Sequence, residues 1–281
     1  MKPSRFQYVR PKTVLEAVAA LQRENSKVLA GGQSLTPLLS MRLAAPDVLV
    51  DINGLQALSG VEVRGSELWI GAIARHQEVF GNPLVAKHVP LLQQALSYVA
   101  HPVIRNRGTS VGSIAHADPA GELTAVAALL QARMHVEGAH GYREIAAQDF
   151  FLGPLESSLT HGELLTGVSF PLMGAGWGSA CCEIARRHGD YALAGVCALL
   201  HVSNSQVDAA RLALFSVGGT PIVIDITDIH SDSEALDAKV QSLIDPESDI
   251  HATSDYRRQL VKTLVLRAIE EAKVNAESRE V

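Results

Sequence analysis

The chain has 281 residues, 47% of them hydrophobic, 19% charged and 5% aromatic, a length that allows two domains with a core each. Its 24 basic residues against 30 acidic ones leave a net charge of −6, which gives no electrostatic reason to expect nucleic acid or an anionic membrane as partner. No segment approaches a membrane span, and the opening MKPSRFQYVRPKT has no apolar signal core, so a cytoplasmic protein is expected.

In chain order, Thr13-Val-Leu-Glu16 has the form of a capping box, and Val14, Val18 and Leu21 then share one face of a short helix. Residues 27–30 read as a strand that runs into Gly31 and Gly32, within VLAGGQSLTPLLSMRL at 28–43. Two adjacent glycines give up side-chain packing and cost entropy, so they mark unusual dihedrals or a close approach to the main chain. Residues 48–52 read as a buried strand closed by Asn53-Gly54, and residues 68–70 as another. Residues 90–100 have an amphipathic helical pattern. Asp118-Pro119 has the form of an N-cap with proline at the first helical position, opening a helix through Gln131. Residues 133–137 with a turn at 138–141 predict a hairpin. GAGWGSA, at 174–180, is rich in small residues and reads as a hinge or linker. Two apolar runs, 192–202 and 207–217, joined by a polar turn, predict an antiparallel pair, and Leu260, Leu264 and Ala268 recur at helical spacing near the end. Strands and helices alternate in the first part; the last part is a meander carrying helices.

Cys181, Cys182 and Cys197 are odd in number and two are adjacent, which fits neither a disulfide framework nor the spacing of an iron–sulfur or structural zinc site. Buried free thiols are expected. The 11 histidines include no i, i+4 pair beside a carboxylate, and no metal is expected.

A second glycine-rich stretch, HPVIRNRGTSVGSIAHADPAGEL, spans 101–123. Small hydroxyl residues between glycines present consecutive amides and side-chain donors to an anion, and Arg105 and Arg107 beside them add positive potential. The same arginines also suit a solvated edge or a subunit contact. Asp118 suits a helix cap and His116 a packed, hydrogen-bonded position. Neither glycine stretch is a Walker A motif, and neither has the G-x-G-x-x-G spacing of the nicotinamide-binding α/β fold. One extended, phosphate-bearing ligand explains two such loops in an acidic chain better than two unrelated turns.

Four ordered blocks carry a resemblance: AGGQSL at 30–35, IGAIARHQEV at 70–79, IRNRGTSVGSIAHADPAGEL at 104–123 and RRHGDYALAGV at 186–196. Together with FSVGGTPIV near the end, they resemble the FAD-binding medium subunit of molybdenum hydroxylases, the carbon monoxide dehydrogenase and xanthine dehydrogenase family. The resemblance implies an α+β fold. A two-subdomain FAD-binding domain of the vanillyl-alcohol-oxidase (PCMH) type would cover 1–172, with subdomains of about 1–54 and 55–172. A smaller C-terminal domain of the CO dehydrogenase flavoprotein type, with antiparallel sheet and helices, would cover 177–281.

The resemblance also implies a set of cofactor contacts. Leu29, Ala30, Gly31, Gly32, Gln33, Ser34 and Leu35 would bind the cofactor from one side, with the Gly31 and Gly32 amides and the Ser34 hydroxyl on the FAD pyrophosphate and Leu35 capping the apolar side. Thr109, Gly112 and Ser113 would clasp the pyrophosphate from the other. Ile104 and Leu165 would line the flavin, Glu122 would hydrogen-bond the adenosine ribose, and Tyr191 would pack on the isoalloxazine ring. Three positions depart from the family pattern. Gln33 stands where relatives often carry His. Val111 stands at the first glycine of the T-x-G-G block, which would change that loop. Cys182 lies near a lysine position, leaving Arg186 or Arg187 to supply the charge.

No paired carboxylates, Ser-His-Asp order or metal cluster suggests chemistry by side chains, so the reactive group would be the flavin. The resemblance implies an oxidoreductase subunit in a dimer of heterotrimers. A large chain would carry molybdenum cofactor and a small chain iron–sulfur clusters, and electrons would leave through FAD to an external acceptor. A self-sufficient flavin oxidase of the vanillyl-alcohol-oxidase type and an FAD-free interaction module are the alternatives.

Overall fold

The computed structural model describes residues 2–279. The first sheet is three parallel strands, β1 (Gln7–Val9), β2 (Ser26–Leu29) and β3 (Val48–Asp51), in the order β1-β3-β2. Helices α1 (Val14–Leu21) and α2 (Leu35–Met41) make its connections. Thr13 Oγ1 accepts from the Glu16 amide at 3.1 Å, but the Glu16 carboxylate accepts from the Lys12 amide at 2.7 Å, one residue ahead of the expected box. Every residue of β3 is buried, as a central strand requires.

The second sheet is antiparallel, in the order β4-β5-β10-β6-β7. Its strands β4 (Val61–Arg64) and β5 (Glu67–Gly71) lead into six helices before the sheet resumes. These are α3 (His76–Phe80), α4 (Pro83–His88), α5 (Pro90–Tyr98), α6 (Pro102–Arg105), α7 (Ser110–His116) and α8 (Glu122–Leu129). The hairpin expected from the sequence follows as β6 (Arg133–Gly138) and β7 (Gly141–Ala146), then the short pair β8 (Phe151–Gly153) and β9 (Glu156–Ser157), then β10 (Leu164–Pro171).

The helix expected from Asp118 starts later. Asp118 accepts the Ala120 amide on Oδ1 and the Gly121 amide on its carbonyl, both at 2.9 Å, so Asp118-Pro119 forms a turn. Gly121 is the N-cap of α8, and Gln131 lies beyond its end at φ 54°. A side chain that satisfies amides within its own turn competes with capping.

The third sheet, β11-β12-β13-β14, is antiparallel throughout: β11 (Trp177–Ala185), β12 (Ala192–Ser203), β13 (Gln206–Phe215) and β14 (Ile222–Asp225). Asn204 and Ser205, at φ 51° and 60°, form the two-residue turn between β12 and β13, with Ser203 paired to Gln206. Helices α9 (Ser233–Leu243) and α10 (Ser254–Glu277) complete the chain.

The linker expected at 174–180 ends early, because β11 begins at Trp177. A Cβ on Gly178 would collide with the backbone of Ala272 and Ala276, so that glycine admits the close approach of α10 to the strand. One face of this sheet, with Cys181, Cys197 and Phe215, joins the core of the preceding 170-odd residues; the other, with Val196, Leu212 and Leu214, packs under α9 and α10. All three cysteines are buried free thiols, and Cys181 and Cys197 face each other across β11 and β12 with sulfurs 3.5 Å apart.

Candidate functional site

A cleft of about 890 Å³ runs between the first two sheets and reaches the start of β12. Its floor is made where two chain segments meet. One leaves β2 through Gly31 and Gly32 into α2; the other leaves α6 through Gly108 and Thr109 into α7.

Each glycine of the first loop has its own physical reason. A Cβ on Gly31 would sit 2.6 Å from the Arg107 carbonyl oxygen and the Gly108 Cα, and 2.8 Å from the Thr109 amide. The two loops therefore touch backbone to backbone, and only glycine permits it. Gly32 adopts φ +72°, the left-handed region. The amides of Gly32, Gln33, Ser34 and Leu35 find no acceptor among the described residues, and neither do those of Val111 and Gly112 in the first turn of α7. Ser34, at the N-cap position of α2, makes no capping hydrogen bond. Thr109 is 3% exposed, yet its Oγ1 has no hydrogen-bond partner among the described residues. A buried donor left in this state costs about 1–3 kcal/mol unless a bound group satisfies it. Unsatisfied amides and a buried hydroxyl facing one cleft are what an oxyanion-bearing ligand requires.

Thirteen of the fourteen residues expected at the cofactor line this cleft. Leu29 is the exception. Its carbonyl accepts from the Ile52 amide at 3.0 Å, and its side chain lies beneath Gly32. Gln33 donates from Nε2 to the Gly31 carbonyl at 3.2 Å, tying down its own loop. Val111 leaves α7 helical: its backbone lies in the helix and its side chain is 2% exposed in the core, so no glycine is needed there. Ile104 and Tyr191, 37% and 68% exposed, stand at the mouth, while Leu165 is buried in the wall.

Charge is arranged differently from expectation. Arg105 is not a solvated edge: it does not line the cleft, and its charge reaches the cleft only through His76. It is buried, donates to the carbonyls of Val99 and Ala100 at 3.0 and 3.1 Å, and lies over the Phe80 ring. Arg186 and Arg187 both pair with Asp190, at 2.9 and 3.4 Å, and neither lines the cleft. Cys182 is on the α10 side of β11, with its thiol 3.5 Å from a Glu271 carboxylate oxygen, and so is not beside the cleft. Glu122, the first residue of α8, does line it; burial pushes its carboxyl up to about 7, and Asp118 adds to the shift. Burial, with Glu122 as a second cause, pushes Glu183 up to about 8.

The wall formed by Thr160, His161 and Gly162 was not expected; its one sequence signal is the glycine itself, which the structure places at φ 83°. Nor was His76 expected, which lines the cleft, is buried, and lies 3.2 Å through Nδ1 from Ser110 Oγ. Burial first, then Arg105, hold its imidazole down at about 4, so it is neutral at physiological pH.

Residues 4–173 match the family described as the FAD binding domain in molybdopterin dehydrogenase, and residues 179–272 match the CO dehydrogenase flavoprotein C-terminal domain. The chain belongs to this FAD-binding family of molybdopterin dehydrogenases. It is 38% identical over 281 residues to the nicotine 6-hydroxylase medium subunit of Paenarthrobacter nicotinovorans, covering 97% of this chain and 99% of that protein. It is 32% identical over 288 residues to the carbon monoxide dehydrogenase medium chain of Afipia carboxidovorans, covering 99% of this chain and 100% of that one. Among solved structures, reconstituted CO dehydrogenase from Oligotropha carboxidovorans superposes with a TM-score of 0.93 at 31% identity, over 98% of this chain and 100% of that one. Quinoline 2-oxidoreductase from Pseudomonas putida 86 gives 0.91 at 34% identity over the full length of both chains.

This medium subunit is therefore the FAD-binding member of an oxidoreductase complex, and FAD is its cofactor. The orphaned Thr109 hydroxyl and the acceptor-less amides on both loops fit that group. No helix among the described residues is long and apolar enough to cross a membrane.

Proposed function

We propose that the cleft holds FAD with its pyrophosphate between the two glycine loops, and that the subunit passes electrons from iron–sulfur clusters on a small partner chain to an external acceptor. The observation that carries this reading is the pair of facing loops, with unsatisfied amides on both and the buried Thr109 hydroxyl between them. The amides of Gly32 to Leu35 and the Ser34 hydroxyl donate to phosphate oxygens from one side. Thr109 Oγ1, the Gly112 amide and Ser113 do so from the other. Glu122, with a carboxyl that titrates about 7, accepts a hydrogen bond from a ribose hydroxyl when ionised. Ile104 and Leu165 exclude water from the flavin end, and the exposed Tyr191 ring covers one side of it at the mouth.

When bound, the flavin supplies the capacity to exchange electrons singly and in pairs. The protein's own residues contribute placement: the two loops, the apolar side chains of Ile104 and Leu165, and Tyr191 at the mouth. Substrate oxidation accordingly belongs to a large partner chain with molybdenum cofactor, in a cytoplasmic dimer of heterotrimers. Native purification tests this directly. The subunit is expected to bring down two companion chains, with iron–sulfur absorption and molybdenum, and its flavin should stay oxidised with organic substrates until those chains are added back. A chain that purifies alone and whose flavin is bleached directly by an organic substrate would instead be a self-sufficient flavin enzyme.

A further inference from the structure

A polar chain whose members, Tyr8, Asp51, Asn53 and Arg75, are not among the expected cofactor contacts runs beneath both glycine loops and is bonded to each. Tyr8 donates from its hydroxyl to Asp51 Oδ2 at the end of β3. Asp51 Oδ1 accepts from the Asn53 amide at 2.9 Å and from Asn53 Nδ2 at 2.6 Å. Asn53 Nδ2 also donates to the Ala30 carbonyl at 2.8 Å, at the entrance of the first loop. Asn53 Oδ1 accepts from the Arg75 guanidinium at 2.6 Å. The other arm of that guanidinium donates to the Arg107 carbonyl, at the entrance of the second loop. Arg75 and His76 guide the second loop through the backbone as well: Arg75 bridges to Thr109, and the His76 amide donates to the Gly108 carbonyl at 2.9 Å.

The chemistry of each link is specific. Asn53 needs an acceptor toward Arg75 and a donor toward both Ala30 and Asp51, which only one orientation of a neutral amide supplies. Aspartate there would set a second negative charge against Asp51 and the Ala30 carbonyl. The Arg75 guanidinium is a planar fork that reaches acceptors on two different segments at once, whereas a lysine ammonium reaches one of them as a point charge. Asp51 is 8% exposed and its carboxyl is held below the usual range; burial opposes this, and hydrogen bonds from Tyr8 and Asn53 outweigh it.

We infer that Asn53 and Arg75 are positioning residues: they form a strut from the root of one glycine loop to the root of the other and set the spacing at which both loops meet the cofactor. This rests on the proposed reading that the loops hold FAD from two sides. Because neither side chain lines the cleft, their effect on FAD passes through the loops alone.

The test is the dissociation constant for FAD, read by quenching of flavin fluorescence on the deflavinated full-length chain, for Asn53→Ala, Arg75→Lys, their combination and Gly32→Val. Each strut variant is expected to loosen FAD about tenfold, the scale of one or two charge-assisted hydrogen bonds, about 1.4 kcal/mol. Lysine should not rescue, because retained charge does not restore the fork. The double variant should be no weaker than the worse single, because both break one strut. Binding within about threefold of wild type in either single variant, rescue by lysine, or multiplying losses in the double overturns the inference. Gly32→Val separates the two levels: if it loses FAD while the strut variants keep it, only the strut falls; if it too keeps FAD, the reading of the loops falls. Should a strut variant fail to fold, Tyr8→Phe removes one hydroxyl from a ring that is 52% exposed. It is expected to loosen FAD about threefold, and unchanged binding counts against the strut.

Discussion

Adding one methyl group at Gly31 interrogates the contact between the two loops without removing any polar group. In Gly31→Ala the new Cβ would lie 2.6 Å from the Arg107 carbonyl oxygen and the Gly108 Cα, both backbone atoms that no rotamer change can move. To regain ordinary contact the second loop must retreat by roughly 0.8 Å. The backbone of Gly31 is not in the left-handed region, so this contact is the whole cost. Forcing a methyl into such packing costs about 1–3 kcal/mol. That loss should appear in the deflavinated chain as a lower urea midpoint at unchanged slope. The displacement also carries Thr109 away from the first loop, so FAD affinity should fall about tenfold or more in a fluorescence titration. Unchanged stability would mean that the loops do not touch. Lost stability with FAD affinity within about twofold of wild type would mean that their spacing does not matter to the cofactor.

Gly32→Val places a β-branched residue at φ +72°, with Thr36 Oγ1 2.9 Å from the new Cβ, and should abolish FAD retention while the circular dichroism of the third sheet and α10 persists. Full flavin occupancy in that variant would remove the first loop from the site. Tyr191→Ala should keep most of its FAD while shifting the flavin absorption spectrum and the rate of reoxidation, because aromatic stacking is worth about 0.5–1.5 kcal/mol beyond burial, too little to anchor a ligand held at two loops. Identical spectrum and rate would leave Tyr191 as a surface residue. Glu122 and Glu183, raised by burial to about 7 and about 8, keep protons that the unfolded chain releases near 4.5, so the folded state binds more protons and stability falls as pH rises toward 8. His76, lowered to about 4, acts in the opposite sense only below 6.5, so the melting temperature of the deflavinated chain should fall between pH 6.5 and 8, and less steeply in Glu183→Gln. A flat or rising wild-type profile across that window contradicts the buried carboxyls.

Much of this was legible in the sequence because it is local. The Gly31-Gly32 pair, the apolar runs that become β12 and β13, and the charged helix α10 follow from residues within one window, and the structure bears them out. What was not legible depends on residues far apart in the chain. The reason for Gly31 is backbone 76 positions or more away, at Arg107. Arg105 beside a glycine loop suggests positive potential from sequence alone, but the carbonyls of Val99 and Ala100 turn it inward. Gly178 reads as a hinge until α10, almost a hundred residues later, packs against it. Asp118-Pro119 has the composition of both a cap and a turn, and the difference lies in which amides the carboxylate meets. Asn53 reads as a turn residue and carries no sign of Arg75.

Acid precipitation of the purified subunit shows whether this chain holds FAD, without a covalent bond, in the cleft between its two glycine loops. None of the three cysteines lines the cleft, and the contacts proposed for the pyrophosphate are hydrogen bonds alone. A yellow supernatant containing FAD, one per chain, over a colourless pellet is expected. A coloured pellet under a colourless supernatant, or a chain purified with no flavin that takes up none from solution, would contradict such binding.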